Sequence, residues 1–124
     1  MKKNKKAILI VDDNQLFIER MIGLLDDVTA VGNISIAGNF DEASSYFKTD
    51  NPDLVLLDIN LPGKSGIHFL KHIKSHDNNC RVIMISNHAD EYYRDQCKEL
   101  GADYFLDKSN DFAKVPTIIN QLYC

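Results

Sequence analysis

The chain has 124 residues, 44% of them hydrophobic and 26% charged, and a net charge of −4 at pH 7. That length accommodates one domain with a real core, and the composition excludes a disordered chain. The acidic balance argues against broad electrostatic binding to nucleic acid, which needs a basic surface.

Residues 1–6 form a basic tail carrying Lys2, Lys3, Lys5 and Lys6. It reads as a solvated lead-in to the first strand, with a membrane or nucleic-acid role as the minor alternative. The apolar stretch behind it is too short for a signal peptide, lacks a small-residue cleavage site and runs into two aspartates. No segment approaches the length of a transmembrane helix, so no membrane insertion is expected.

From residue 7 to 124 strand and helix alternate five times. Ala7–Val11 is the first strand. A helix follows over Gln15–Val28, with Phe17, Met21, Leu24, Leu25 and Val28 on one face. Ile34–Ala37 is a short strand and Asp41–Lys48 a short helix carrying Ala43, Tyr46 and Phe47. Asn51-Pro52 turns into the strand Leu54–Leu57. Beyond the loop Asn60–Lys64 lies a helix near Ser65–Ser75, with Ile67, Leu70 and Ile73 inward. The strand Arg81–Ile85 precedes a helix from about Ala89 to Leu100, closed by Gly101. Tyr104–Leu106 is the last strand. The final helix carries Phe112, Val115, Ile119 and Leu122 on one stripe. Pro116 requires that helix either to start near Val115 or to kink, because an interior proline costs about 3 kcal/mol.

Strands one, three and four are unbroken apolar runs, the pattern of parallel strands covered by helices on both faces. With right-handed crossovers, a doubly wound five-stranded α/β sheet is the economical arrangement. The cysteines Cys80, Cys97 and Cys124 are odd in number, widely spaced and without a C-x-x-C pair. They fit reduced thiols in a cytoplasm, with Cys80 and Cys97 as core fillers.

Four apolar runs end in polar residues of a kind that phosphoryl chemistry needs. Val11 leads into Asp12 and Asp13, Leu57 into Asp58, Ile85 into Ser86, and Leu106 through Asp107 into Lys108. If the runs are neighbouring parallel strands, these groups share the carboxyl edge of the sheet, where open α/β folds bind ligands. Asp12, Asp13 and Asp58, with a loop carbonyl after Asp58, suit magnesium, which takes hard oxygen ligands. The alternative for the first pair is helix capping, which accounts for one aspartate but not for two plus a third on another strand. Asp58 is the candidate nucleophile, able to form an aspartyl-phosphate. Lys108 and a cation would neutralise the phosphoryl charge, Ser86 would donate a hydrogen bond, and before phosphorylation Lys108 would pair with Asp58.

Together Val11-Asp12-Asp13-Asn14, Leu57-Asp58-Ile59-Asn60-Leu61-Pro62 through Gly66, Ile85-Ser86 and Asp107-Lys108-Ser109 resemble a bacterial response-regulator receiver domain across essentially the whole chain. The resemblance implies a flavodoxin-like fold with strand order 2-1-3-4-5. It implies Mg2+ held by Asp12, Asp13, Asp58 and the Asn60 carbonyl, and phosphotransfer to Asp58 from the phosphohistidine of a histidine kinase or histidine phosphotransfer protein. Ser86 and Lys108 would hold the phosphoryl group. Phe105 takes the family's switch position, from which an aromatic follows the hydroxyl residue inward and remodels the surface of helix four, strand five and helix five. The other reading of Phe105 is an ordinary half-buried strand residue.

Three positions depart from the family pattern. Asn87 stands where a small residue is usual and bears on access to the phosphoryl site. His88 follows near the mouth, at a position that tunes family lifetimes, and otherwise reads as an exposed loop histidine. Ser109 replaces a frequent proline. If the 124 residues are the whole protein, the signal is expected to leave through protein contacts with a downstream target, by a surface including Tyr92 and Phe105. A second docking edge is expected on the first helix, where Ile18 and Ile22 widen the apolar stripe. Other readings are a magnesium-dependent phosphohydrolase, a receiver-like binding module that is not phosphorylated, and a flavodoxin relative. The hydrolase reading suffers from motif order, with the acidic pair early and the nucleophile third. The flavodoxin reading lacks a glycine-rich phosphate loop.

Overall fold

Successive apolar strand residues point to opposite faces of one sheet, and both faces are covered. The computed structural model describes residues 5–77, 79–87 and 91–123. Its elements in chain order are β1 (Lys6–Val11), α1 (Gln15–Leu25), β2 (Val31–Ala37), α2 (Phe40–Asp50), β3 (Leu54–Asp58), α3 (Gly66–His76), β4 (Arg81–Ser86), α4 (Glu91–Glu99), β5 (Tyr104–Asp107) and α5 (Val115–Tyr123). The strands form one parallel sheet in the order β2-β1-β3-β4-β5. This is the doubly wound arrangement expected from the unbroken apolar runs.

Ile8, Ile10, Leu54, Leu56, Ile83 and Ile85 pack with Phe17, Met21 and Leu25 of α1 and with Val115, Ile118 and Ile119 of α5. The intervening Leu9, Val11, Val55, Leu57, Val82 and Met84 pack on the other face with Phe47 of α2, Phe69 and Leu70 of α3 and Cys97 of α4. Side-chain alternation therefore writes two cores into the same strands. Each buried leucine or isoleucine contributes about 1.5–3 kcal/mol, so both layers are needed to hold the central strands. Cys80 and Cys97 are buried, and burial pushes their thiols up to about 12 and about 11.

Helix ends depart from the sequence expectation where tertiary contacts intervene. α1 stops at Leu25 rather than Val28, because Val28 and Val31 close successive tight turns onto the carbonyls of Leu25 and Val28. Asp26 and Asp27 there also oppose the negative end of the helix dipole. α2 is longer than expected at both ends. Asn39 accepts from the Glu42 N–H, while Glu42 reaches back to the Gly38 N–H at 2.8 Å, a reciprocal cap. For α5, the start at Val115 is the alternative realised. A 3-10 turn over Phe112–Lys114 leads into it, and Pro116 sits in the first turn, where its missing N–H costs nothing. Ala89, the expected start of α4, lies outside the described residues. Gly101 closes α4 with φ +100°, and the Ala102 N–H reaches back to the Cys97 carbonyl at 3.0 Å.

The expected apolar edge on α1 needs correction. Ile18 is 3% exposed and Ile22 is half-buried against the same core, whereas Leu16 is 60% exposed. Helix rotation about its axis decides which of two neighbouring apolar rows faces in, and here it buries the row meant for docking. Among the described residues, no helix is long and apolar enough to cross a membrane.

Candidate functional site

Parallel strands all end in the same direction, so the last residues of β1, β3, β4 and β5 deliver their side chains to one edge. Asp12 follows β1 and extends its pairing, its N–H donating to the Ala37 carbonyl at 2.9 Å. Asp58 ends β3 opposite Ile85, and Ser86 ends β4 opposite Asp107. Asp12, Asp58 and Ser86 are the buried polar residues here, at 1%, 5% and 0% exposure, while Asp13 is exposed. One carboxylate oxygen from each of Asp12, Asp13 and Asp58 lies within 4.8 Å of the others.

Lys108 enters from the β5 loop with its side chain only 8% exposed. Its ammonium is 2.8 Å from Asp12 Oδ2 and 3.6 Å from Asp58 Oδ2. The pairing anticipated with Asp58 is thus shared, and Asp12 is the nearer partner. The backbone behind the lysine is braced. Lys108 N–H donates to the Ser86 carbonyl at 2.9 Å, and Asp107 Oδ1 accepts from the N–H groups of Ser109 and Asn110. Asp111 accepts from the Asp107 N–H and pairs with Lys114, contacts that hold its carboxyl below the usual range.

Burial pushes the Asp58 carboxyl up from 3.8 to about 6, and the neighbouring Asp12 charge adds to the rise. The Asn60 N–H, donating to Asp58 Oδ1 at 3.1 Å, and the Lys108 charge pull the other way. Gly66 explains why α3 can start so close. A Cβ at that position would collide with the Asp58 carbonyl oxygen, and the Gly66 N–H donates to the Ile59 carbonyl at 2.7 Å.

Capping does not occupy the paired aspartates. The α1 N-cap is Asn14, whose Oδ1 accepts from the Phe17 N–H at 3.1 Å. Asp12 Oδ1 accepts from the Asn14 N–H at 2.8 Å, and the buried Asp12 Oδ2 faces the Lys108 ammonium. Three acidic groups against one ammonium suit a small divalent cation with hard oxygen preference. Asn60 is exposed in the loop after β3.

Phe105 is half-buried against the α2–α4 core, with the Arg94 guanidinium 5.0 Å over its ring and Arg94 donating to its carbonyl at 3.1 Å. Tyr92 on α4 is 71% exposed. Asn87 is exposed at the lip of a groove of about 150 Å³ that it shares with Asn14, Leu16, Phe17, Arg20, Lys108 and Phe112. His88 lies outside the described residues. Sequence reading assigned Phe17 only to the core, yet its ring lies under the Lys108 ammonium at 4.6 Å. No spacing rule links residues so far apart, so that contact had no local signal.

A family model for the response regulator receiver domain matches residues 8–120. The chain is 29% identical over 121 residues to the Fimbriae Z protein of Salmonella typhimurium, covering 95% of this chain and 57% of that protein. The signal receiver domain of the putative response regulator NarL from Mycobacterium tuberculosis superimposes with a TM-score of 0.87 at 26% identity, covering 97% of each chain. A CheX-CheY-BeF3-Mg2+ complex from Borrelia burgdorferi gives a TM-score of 0.86 at 32% identity, over 98% of this chain and 91% of that one. The chain spans between 26% and 57% of the length of the first curated relatives it matches.

Proposed function

The chain belongs to the response-regulator receiver-domain family, the phosphoacceptor modules of two-component signalling, and on that footing we propose that Asp58 is its phosphoacceptor. The observation that carries the assignment is the pocket itself: three carboxylates within 4.8 Å of one another, one of them the buried end of the central strand. In the proposed reaction an Asp58 oxygen attacks the phosphorus of a phosphohistidine. The P–O bond forms as the P–N bond breaks, and the imidazole leaves with its electron pair. Later attack by water on the same phosphorus returns the carboxylate and inorganic phosphate, so the chain carries a phosphoryl group rather than turning over a substrate.

Asp12, Asp13 and Asp58, with the Asn60 carbonyl, would hold Mg2+, which when bound neutralises charge on the transferring group. Lys108 supplies the second positive charge and Ser86 a hydroxyl donor. Asp58 must be ionised to attack, and its elevated affinity for protons is relieved when cations enter the pocket. Asn87 at the lip either narrows the approach or donates a hydrogen bond to the phosphoryl group. Phe105 and the neighbouring α4 surface relay the change to a downstream protein.

The donor is a histidine kinase or a histidine phosphotransfer protein, and the setting is the cytoplasm. Support for that setting comes from the unpaired thiols of Cys80 and Cys97. The receiver begins at Lys6 rather than residue 7, because Lys6 pairs with Val31 in β1 and its N–H donates to the Ala30 carbonyl at 2.8 Å. No nucleic acid is proposed as a ligand of this unit.

Incubation with acetyl phosphate and magnesium, followed by intact mass measurement, tests the assignment. The expected result is a gain of one phosphoryl group that is absent when magnesium is chelated beforehand and in Asp58→Asn. A phosphorylated Asp58→Asn chain would overturn it. Sustained release of phosphate from phosphomonoesters would favour a hydrolase instead.

A further inference from the structure

Lys108 is held at both ends, and only one of the two holds is explained by the backbone. Its N–H is fixed to Ser86 and its ammonium lies between Asp12 and Asp58. The remaining contact is the face of Phe17, with Nζ 4.6 Å from the ring centroid. That ring is itself immobilised. Phe17 is 8% exposed, and Phe112 leans on it at 5.9 Å with an interplanar angle of 57°. A leucine would satisfy the same apolar position in the α1–α5 core, so packing alone does not call for an aromatic ring. A desolvated cation over a ring face does, because the ring quadrupole attracts it most strongly where water is excluded.

We infer that Phe17 is a positioning residue whose ring holds the Lys108 ammonium between Asp12 and Asp58. The inference deepens the phosphoacceptor reading and rests on it. It has two consequences of opposite sign. Before phosphorylation the held ammonium sits on Asp12 Oδ2, an oxygen that a metal ion would also claim, so the ring works against metal binding. During phosphotransfer the same ammonium must meet the incoming phosphoryl oxygens, so the ring works for the reaction.

Phe17→Leu removes the ring and keeps an apolar side chain. The expected result is magnesium affinity raised about threefold by calorimetric titration, with phosphorylation by acetyl phosphate at saturating magnesium slowed about threefold to tenfold. Phe17→Tyr, which keeps the ring face, should restore both values. Thermal unfolding is followed alongside, and Phe17→Met serves the same purpose should the leucine variant not fold. A loosened pocket would weaken metal binding and phosphorylation together, and that outcome overturns the inference. Unchanged magnesium affinity, or failure of Phe17→Tyr to restore it, does so as well. If the unaltered chain takes no phosphoryl group, the phosphoacceptor reading fails by itself, while the magnesium titration still reports on Phe17.

Discussion

At the amino edge of the sheet, Asp103 accepts from the Val82 N–H at 2.8 Å, from Lys74 at 3.3 Å and from Arg81 at 3.1 Å. Asp53 beside it accepts from the Ala7 N–H, and its carbonyl takes the Tyr123 hydroxyl at 3.2 Å. At the carboxyl edge, Asp12, Asp13 and Asp58 crowd together within 4.8 Å, with the Lys108 ammonium on Asp12 and Asp58. The same residue types thus build two different devices. One edge pairs its charges and locks strand starts together. The other holds them close and underpaired, which weakens the fold locally and makes the site ready for cations and phosphoryl oxygens.

The largest expected effect comes from breaking the paired edge. Asp103→Ala removes the counter-ion of Lys74, whose ammonium also donates to the Cys80 carbonyl at 2.7 Å, and the acceptor of the Val82 N–H. Urea unfolding should show a loss of about 3 kcal/mol, the cost of orphaning partly buried donors and a charge. Phosphorylation of the folded fraction should stay within about twofold of the unaltered chain, a bound set by the distance between the edges. A loss below about 1 kcal/mol would mean that the amino edge is a solvated charge cluster rather than a lock.

The underpaired edge should respond with the opposite sign. Asp58 has a folded pKa of about 6 against 3.8 for the ordinary carboxyl, so between those values the folded chain binds more protons than the unfolded one. Stability therefore falls as pH rises through that window, and the ionised group weakens the fold at pH 7. Without metal, Asp58→Asn should be more stable by about 2 kcal/mol at pH 7, with the advantage vanishing below about pH 4. Urea titrations at both pH values measure the difference. Equal stability at pH 7 would remove the contrast between the two edges.

How far the sequence reveals these edges depends on the range of the contacts involved. The carboxyl edge is legible because each strand announces it: an unbroken apolar run, then a polar residue, repeated on β1, β3, β4 and β5. Parallel strands buried on both faces leave such runs, and their common direction brings the ends together. The pairing of Lys108 with Asp12 is not legible, since 2.8 Å against 3.6 Å depends on packing between residues far apart in the chain. Nor is the burial of Ile18, expected on a docking edge, because it lies only about 100° from Phe17 on the helix and packing alone fixes the rotation. The amino edge passed unnoticed for a related reason. Lys74 lies on α3, Arg81 starts β4 and Asp103 precedes β5, and no local pattern marks them as partners.

The smallest expected effect separates two neighbours at the carboxyl edge itself. Asn14 and Asp13 both stand at the start of α1, and both residue types cap helices well. Only Asn14 does so here, through its Oδ1 and the Phe17 N–H. Asn14→Ala should cost about 1 kcal/mol in urea unfolding, the usual price of a lost cap. Asp13→Asn, at an exposed side chain that only adds to the crowding, should change stability by less than about 0.5 kcal/mol without metal. The pair would then divide cleanly, with Asn14 belonging to the fold and Asp13 to the pocket. If Asp13→Asn costs as much as Asn14→Ala, the aspartate contributes to the helix start, and the acidic edge is more structural than its underpaired charges suggest.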